Sequence, residues 1–278
     1  MKVFLYDTTL RDGNQDRKIS LSLADKLQIA RILDHFGFDY IEGGWPNPSN
    51  PTDEEFFKLV KDLKLKHAKI AAFGSTRRPG VLPEKDPLLQ ALVKSGAPVK
   101  TIFGKSWDLH VTDVIRTTLE ENLDMIESSI AYLKEHSEEV IYDAEHFFDG
   151  YKEDRMYAVS TLSAASVAGA DTIVLCDTNG GTSPEKIGEI TAHINDLLYG
   201  VKIGIHTHND CGMAVAGAIA AVKAGATHVQ GTLLGFGERC GNANLSTIIA
   251  NLVIKERYES DVKLNLLTKT AHTVSELS

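Results

Sequence analysis

Eight short apolar segments alternate with segments of helical periodicity along the chain, and this alternation limits the folds that the chain can adopt. The predicted strands are Val3–Asp7, Asp39–Gly43, Lys69–Phe73, Val99–Phe103, Val140–Glu145, Thr172–Cys176, Lys202–His206 and Thr227–Gly231. Strands that alternate with helices build parallel sheets. Eight such units in 278 residues favour a (β/α)8 TIM barrel, an α/β fold, over an open doubly wound sheet, since no GxGxxG follows the first strand.

Glycines mark the predicted helix ends. Four of them stand just before alternate strands: Gly37, Gly96, Gly169 and Gly225. Glycine is the usual left-handed residue after a helix, so each one predicts a helix end followed by a strand. The clearest helical pattern runs from Thr112 to His136, and we expect Thr112 to cap its N-terminus.

Composition restricts the class of protein. The 29 basic and 38 acidic residues give a net charge of −9, spread along the chain, which argues against a nucleic-acid partner. No apolar run has membrane-spanning length, and the start "MKVFLYDTTLRDG" is typical of a strand rather than a signal peptide. The cysteines Cys176, Cys211 and Cys240 have no CxxC spacing. We therefore expect a cytoplasmic protein without a nucleic-acid or membrane partner.

Polar residues follow most of the predicted strands. In TIM barrels the chemistry lies at the C-terminal ends of the strands. The segments found there are "DTTLRDGNQ", Glu42, "DAEHF", "CDTNGG", "HTHND" and "GERCGN". We expect their acids, histidines, arginine and amides to face one cavity.

His206 and His208 occupy alternate positions at the end of a strand, so their side chains point to the same side. With Asp12 they would form a mixed nitrogen and oxygen donor set suited to zinc or another divalent metal. The alternative for either histidine is a satisfied polar residue at a strand end. Glu145 also has two interpretations, a site acid or the partner of a buried arginine or lysine.

With these residues assembled, the sequence resembles the DRE-TIM metallolyase superfamily (HMGL-like). This group includes the isopropylmalate, homocitrate and citramalate synthases and the lyase that cleaves hydroxymethylglutaryl-CoA. The motifs are "LRDGNQ" at Leu10–Gln15 and "HTHNDCGMAVAGAIAAVKAGATHVQGTLLGFGERCGNANL" at His206–Leu245. The resemblance covers essentially the whole chain. The segments "YIEGGWP", "AAFGSTRRPG", "FGKSWDLHV" and "DAEHFFDGY" are more similar to the citramalate synthase branch than to the isopropylmalate branch.

The resemblance implies roles for individual residues. It implies four residues at the metal: Asp12, His206, His208 and Asn242. It makes Arg11 the residue that binds the 2-oxo acid and stabilises charge on its carbonyl oxygen, and Thr178 the partner of the carboxylate. Glu145 matches the active-site glutamate of the synthases. The implied cofactor is Mg, Mn or Zn, with acetyl-CoA as co-substrate and a homodimer as the assembly.

The implied reaction is a metal-dependent Claisen-type condensation of acetyl-CoA with a 2-oxo acid. The branch resemblance favours conversion of pyruvate to (R)-citramalate, in branched-chain amino acid biosynthesis. The alternatives are an isopropylmalate or homocitrate synthase, a metal-dependent carbon–carbon lyase or aldolase, and a barrel that binds metal and oxo acid without turnover.

The resemblance also implies a division of the chain. Residues 1–258 are expected to form the catalytic barrel, and 259–278 the start of a truncated C-terminal extension. We expect the segment from Leu264 to Leu277 to be helical but to lack a packing partner. Because the family takes its proton-abstracting base partly from beyond the barrel, the resemblance implies impaired condensation by this chain.

Overall fold

Eight parallel strands close into a barrel in the computed structural model, which describes residues 1–278. The strands are β1 (Phe4–Asp7), β2 (Tyr40–Gly44), β3 (Lys69–Ser75), β4 (Val99–Lys105), β5 (Glu139–Glu145), β6 (Thr172–Asp177), β7 (Lys202–Thr207) and β8 (His228–Gly231). Each strand pairs with the next, and β8 pairs with β1. The TIM barrel is confirmed, and every predicted strand end lies within two residues of the observed one.

Helices surround the barrel. They are α1 (Leu23–Phe36), α2 (Pro51–Leu59), α3 (Pro87–Ser95), α4 (Leu119–Lys134), α5 (Phe147–Glu153), α6 (Arg155–Val167), α7 (Pro184–Leu197), α8 (Ala214–Lys223), α9 (Leu245–Ala250) and α10 (Leu267–Leu277). Helix α1 shows how the sequence sets such bounds: Ser22 and Asp25 form a capping box, and Gly37 ends the helix at φ 109°. All four predicted helix-ending glycines have positive φ, as expected. No helix combines the length and apolarity that a membrane span requires.

The helix predicted from Thr112 to His136 is two separate elements. A π-helical turn covers His110–Val114, and Arg116 then adopts a left-handed φ of 56° that interrupts the helical path. Helix α4 begins after Thr118, whose side chain accepts a hydrogen bond from the Glu121 amide at 3.1 Å. Thr112 as N-cap is therefore wrong, because apolar periodicity does not register a single left-handed residue within the segment.

The apolar core has two layers. Fifty buried residues lie between the sheet and the helices. Seven more form a separate layer inside the barrel: Tyr6, Tyr40, Ala71, Val99, Ile141, Val174 and Cys176. Alternate residues of a strand face the same side, so Glu42 and Asp143, two positions after Tyr40 and Ile141, also point inward, nearer the C-terminal mouth. The core thus presents its polar residues at that mouth.

The C-terminal segment packs on the barrel. Helix α10 contacts α1, and its Val274 is completely buried. Ahead of it, the Lys263 amide donates to the Phe36 carbonyl at 2.8 Å. The expectation of a helix without a packing partner is wrong, because α1 offers an apolar stripe that α10 covers. The proposed boundary between residues 258 and 259 stays a prediction.

Candidate active site

The predicted donors meet at the C-terminal mouth of the barrel. Asp12 follows β1, His206 lies in β7 and His208 comes directly after it. One ligand atom from each residue lies within 4.8 Å of the other two, and all three side chains are buried. The two imidazole rings are nearly parallel, with centroids 5.1 Å apart. The period-two spacing of the histidines therefore has the geometric effect expected from the sequence.

Three donor atoms at this point have no hydrogen-bond partner: His206 Nε2, His208 Nδ1 and Asn242 Oδ1. Asn242 joins the group through a β-bridge to His208, while its Nδ2 donates to the Phe236 carbonyl at 3.3 Å. A Cβ at Gly237 would lie 2.2 Å from that nitrogen, so the close approach requires glycine. Buried polar atoms are seldom left unpaired. Two imidazole nitrogens, a carboxylate and an amide oxygen fit a divalent cation at this position.

The charge states suit metal ligands. Burial disfavours the Asp12 carboxylate, but Arg11 and the two histidines outweigh it and hold the Asp12 pKa below its usual range. Burial lowers the pKa of His208 to about 3, so this imidazole is neutral at physiological pH. Metal ligands must be deprotonated. The protein without metal already supplies a carboxylate and a neutral imidazole.

Arg11 is held rigidly beside the donor set. Its Nε donates to Glu42 Oε1 at 2.6 Å, and its guanidinium lies 3.6 Å from the centre of the Phe73 ring. Burial disfavours the charge, but the carboxylates of Glu42 and Asp12 raise the Arg11 pKa above its ordinary value. Glu42 also accepts from the Tyr6 hydroxyl at 2.7 Å. The sequence predicted Glu42 at the mouth of the barrel, but it did not predict the hydrogen bond by which Glu42 fixes the Arg11 guanidinium.

Thr178 and Glu145 lie in the same cleft. The Thr178 hydroxyl oxygen accepts from the His146 amide at 2.9 Å. Glu145 forms an ion pair with Lys105, its direct neighbour across the β4–β5 pairing. Glu145 therefore does pair with a lysine, though Lys105 is partly exposed rather than buried, and the Glu145 side chain is 24% exposed and lines the cleft. Lys105 was missed, because only the strand register places it opposite Glu145.

The cleft is lined by every predicted site residue except Asn242, which is buried and bridged to His208. Its lining residues are Arg11, Asp12, Gln15, Trp45, Phe73, Phe103, Asp143, Glu145, Cys176, Thr178, His206, His208 and Glu238. One wall is aromatic: the rings of Trp45, Phe73 and Phe103 have centroids 5.5–5.7 Å apart. On the cleft floor, burial raises the pKa of Asp143 to about 7. The cavity thus combines a donor set, a fixed cation and an apolar wall.

Comparison with known proteins identifies the family. The HMGL-like family model matches residues 2–274. The chain belongs to the HMGL-like family. It is 54% identical over 278 residues to the (R)-citramalate synthase of Aquifex aeolicus, covering 99% of this chain and 52% of that protein. The chain thus spans about half the length of this curated relative.

Two further comparisons cover more of the other chain. The 2-isopropylmalate synthase of Sulfurisphaera tokodaii is 34% identical over 277 residues, which cover all of this chain and 69% of that protein. The crystal structure of hydroxymethylglutaryl-CoA lyase from Pseudomonas aeruginosa matches with a TM-score of 0.80 at 18% identity, covering 99% of this chain and 93% of that one. The structural match shows a shared barrel. The resemblance inferred from the motifs is confirmed.

Proposed function

We propose that this chain is a metal-binding catalytic barrel that condenses acetyl-CoA with pyruvate and hydrolyses the resulting thioester with one water, to give (R)-citramalate and free CoA. The observation that carries the proposal is the convergence of unpartnered donor atoms beside a rigidly held arginine in an open cleft. The 54% identity to a curated (R)-citramalate synthase supports the choice of reaction. We assign metal binding to Asp12, His206, His208 and Asn242.

The remaining residues bind and orient the oxo acid. A bound divalent metal supplies Lewis acidity and a template for the oxo acid's oxygens. Arg11 donates to the carbonyl oxygen, where negative charge develops during attack, and Glu42 and Phe73 keep it in place beforehand. Because the Thr178 oxygen already accepts from the His146 amide, its proton is free for the oxo acid's carboxylate.

We assign Glu145 as the barrel's own contribution to the base on the acetyl-CoA side, beside the part that the resemblance places beyond the barrel. Lys105 binds its Oε2, which leaves Oε1 without a partner from that lysine, and the Glu145 side chain lines the cleft. A carboxylate held within hydrogen-bond reach of the acetyl group accepts a proton from its methyl carbon, and the enolate so formed attacks the carbonyl carbon of the oxo acid. The adjacent ammonium of Lys105 also offsets negative charge on the enolate.

The aromatic wall favours a small acceptor. Phe73 stacks against the Arg11 guanidinium, and Trp45 and Phe103 close the space beside it. This wall accommodates the methyl group of pyruvate more readily than the isopropyl group of 2-oxoisovalerate. Pockets of this kind discriminate a methylene by about 1–3 kcal/mol. Weak activity with 2-oxobutyrate is therefore expected.

The test measures release of free CoA from acetyl-CoA with pyruvate, 2-oxobutyrate, 2-oxoisovalerate and 2-oxoglutarate, with Mn²⁺ and with chelator. We expect metal-dependent release with the highest kcat/KM for pyruvate. A preference for 2-oxoisovalerate would indicate an isopropylmalate synthase. Cleavage of hydroxymethylglutaryl-CoA in place of condensation would indicate a lyase.

A binding measurement tests the oxo-acid site even where turnover is too slow to follow. Calorimetry should show pyruvate tightening Mn²⁺ binding roughly tenfold, since coupled ligands stabilise each other reciprocally. Arg11→Lys retains the charge but loses the planar fork. This variant should bind Mn²⁺ and lose most of the pyruvate effect. Equal coupling in parent and variant would remove Arg11 from the oxo-acid site.

A further inference from the structure

We propose that Gln230 is a positioning residue of the metal centre, which sets the tautomer and ring orientation of His206 and thereby the metal affinity. The inference rests on the proposed metal site. It gives a role to a residue that lies within the second motif but to which the sequence assigned none.

The contacts of Gln230 decide which His206 nitrogen carries the proton. Gln230 Oε1 lies 2.7 Å from His206 Nδ1. An amide oxygen only accepts, so Nδ1 carries the hydrogen and Nε2 keeps its lone pair. That Nε2 is the unpartnered atom 3.5 Å from Asp12 Oδ2. The imidazole is therefore presented to a cation in the ligand form.

The hydrogen bond made by the Nε2 end of Gln230 fixes the orientation of its amide group. Gln230 Nε2 donates to Asp143 Oδ1 at 2.9 Å. Above pH 7, where Asp143 is ionised, a flipped amide would set its oxygen against the Asp143 carboxylate and lose that bond, so Asp143 fixes the amide and the amide fixes the tautomer of His206. The three side chains thus form one directed chain, from His206 through Gln230 to Asp143.

The backbone makes this chain rigid. Gln230 on β8 is paired directly with His206 on β7, and its side chain is completely buried. Outer partners of metal-bound histidines fix the ring and raise its basicity. Here the link between His206 and Asp143 is neutral, so it adds no charge to an interior that already holds Asp12, Glu42 and Asp143.

His208 provides an internal contrast. Its Nδ1 has no partner, so nothing in the protein sets its tautomer in advance. Of the two histidines, His206 alone is preset by a hydrogen bond to another side chain. Loss of Gln230 should therefore remove the one preset imidazole of the site.

Two variants of Gln230 distinguish its hydrogen bond to His206 from a contribution to packing alone. Gln230→Met keeps the length of the side chain but has no acceptor, whereas Gln230→Glu keeps an acceptor for Nδ1–H. Thr191→Val, at a buried position in α7 on the outside of the barrel, is the matched control. Calorimetry with Mn²⁺ gives the affinity, and thermal unfolding shows that each variant is folded.

We expect Gln230→Met to bind Mn²⁺ about 10–100-fold more weakly than the parent, as for other outer partners of metal ligands. Gln230→Glu should recover part of that loss, and Thr191→Val should bind like the parent. A folded Gln230→Met variant with parental affinity, within about twofold, would overturn the inference.

Nitrogen NMR of the metal-free protein tests the tautomer without any metal. The His206 signals are assigned by comparison with His206→Asn. The parent should carry its proton on Nδ1, and Gln230→Met should lose that preference. A parent with the proton on Nε2 would overturn the inference even if Gln230→Met does not fold. Absence of Mn²⁺ binding by the parent would overturn the proposed metal site. The NMR result would still show whether Gln230 sets the tautomer of His206.

Discussion

Two clusters of acids and histidines lie at opposite ends of the barrel, and only one has buried donor atoms without a hydrogen-bond partner. Asp12, His206 and His208 meet at the C-terminal mouth, while Asp39, His67 and Asp261 meet near the starts of the strands. In both groups the ligand atoms lie within 4.8 Å of one another. In the second group the ammonium of Lys2 donates to Asp261 and lies 3.2 Å from Asp39.

The difference shows that ligand-type residues at ligand-type distances do not by themselves indicate a metal site. The second cluster already contains a cation from the chain, and its Asp261 side chain is 46% exposed. The first cluster is buried, and His206 Nε2 and His208 Nδ1 have no partner. A cation of the chain lies beside each cluster, with Arg11 Nη1 3.3 Å from Asp12 Oδ2 and Lys2 3.2 Å from Asp39, so the clusters differ in burial and in buried unpartnered nitrogens.

The largest expected effect comes from removing one histidine from each cluster. His208→Ala should weaken Mn²⁺ binding by at least about 100-fold, because it deletes a buried ligand, and thermal unfolding should show a folded protein. His67→Ala should leave Mn²⁺ affinity unchanged. Calorimetry with both variants makes the comparison. Parental affinity in His208→Ala would remove this histidine from the metal site, and a large loss in His67→Ala would show that the second cluster also binds metal.

Substitution of Lys100, a buried cation without an acidic partner, is expected to have a moderate effect on stability. Its ammonium is completely buried and bonds only to the Ala97 carbonyl. Burial, with help from Lys61, lowers the Lys100 pKa to about 8. Below pH 8 the charge is retained in both folded and unfolded chains, so the folded state carries its full cost. Between pH 8 and the unfolded value of 10.5 the folded state loses the proton first, and the cost disappears.

Lys100→Met should therefore raise the free energy of unfolding at pH 7 by about 1–3 kcal/mol. The gain should shrink between pH 8 and 10.5. Denaturant unfolding at several pH values measures it. A variant less stable than the parent at pH 7 would mean that the Ala97 hydrogen bond outweighs the buried charge.

The smallest effect is expected from Lys2→Met, which removes the cation of the second cluster. Lys2 is about one-third exposed, and partly exposed ion pairs contribute about 0.5–1 kcal/mol. We expect a stability loss of that order with Mn²⁺ affinity unchanged. Loss that persists at 1 M salt would point to packing against Phe4, over whose ring the ammonium lies, rather than to charge.

Local patterns predicted most of the barrel. The alternation of apolar and helical segments located all eight strands, and glycines located four helix ends. The errors lie where a single backbone angle or a distant surface decided the outcome. Arg116 divides the segment predicted as one helix from Thr112 to His136, and α1 provides the surface that buries Val274.

The sequence by itself determined the donor side chains of the site. His206 and His208 follow from the strand period and Asp12 from its position after a strand, while Arg11 and Thr178 came from the family resemblance. The tertiary structure alone decided what holds those side chains: Glu42 for Arg11, Lys105 for Glu145 and Gln230 for His206. The physical reason is that a strand's period sets the side to which a residue points, whereas its partner depends on barrel closure and on the register between strands.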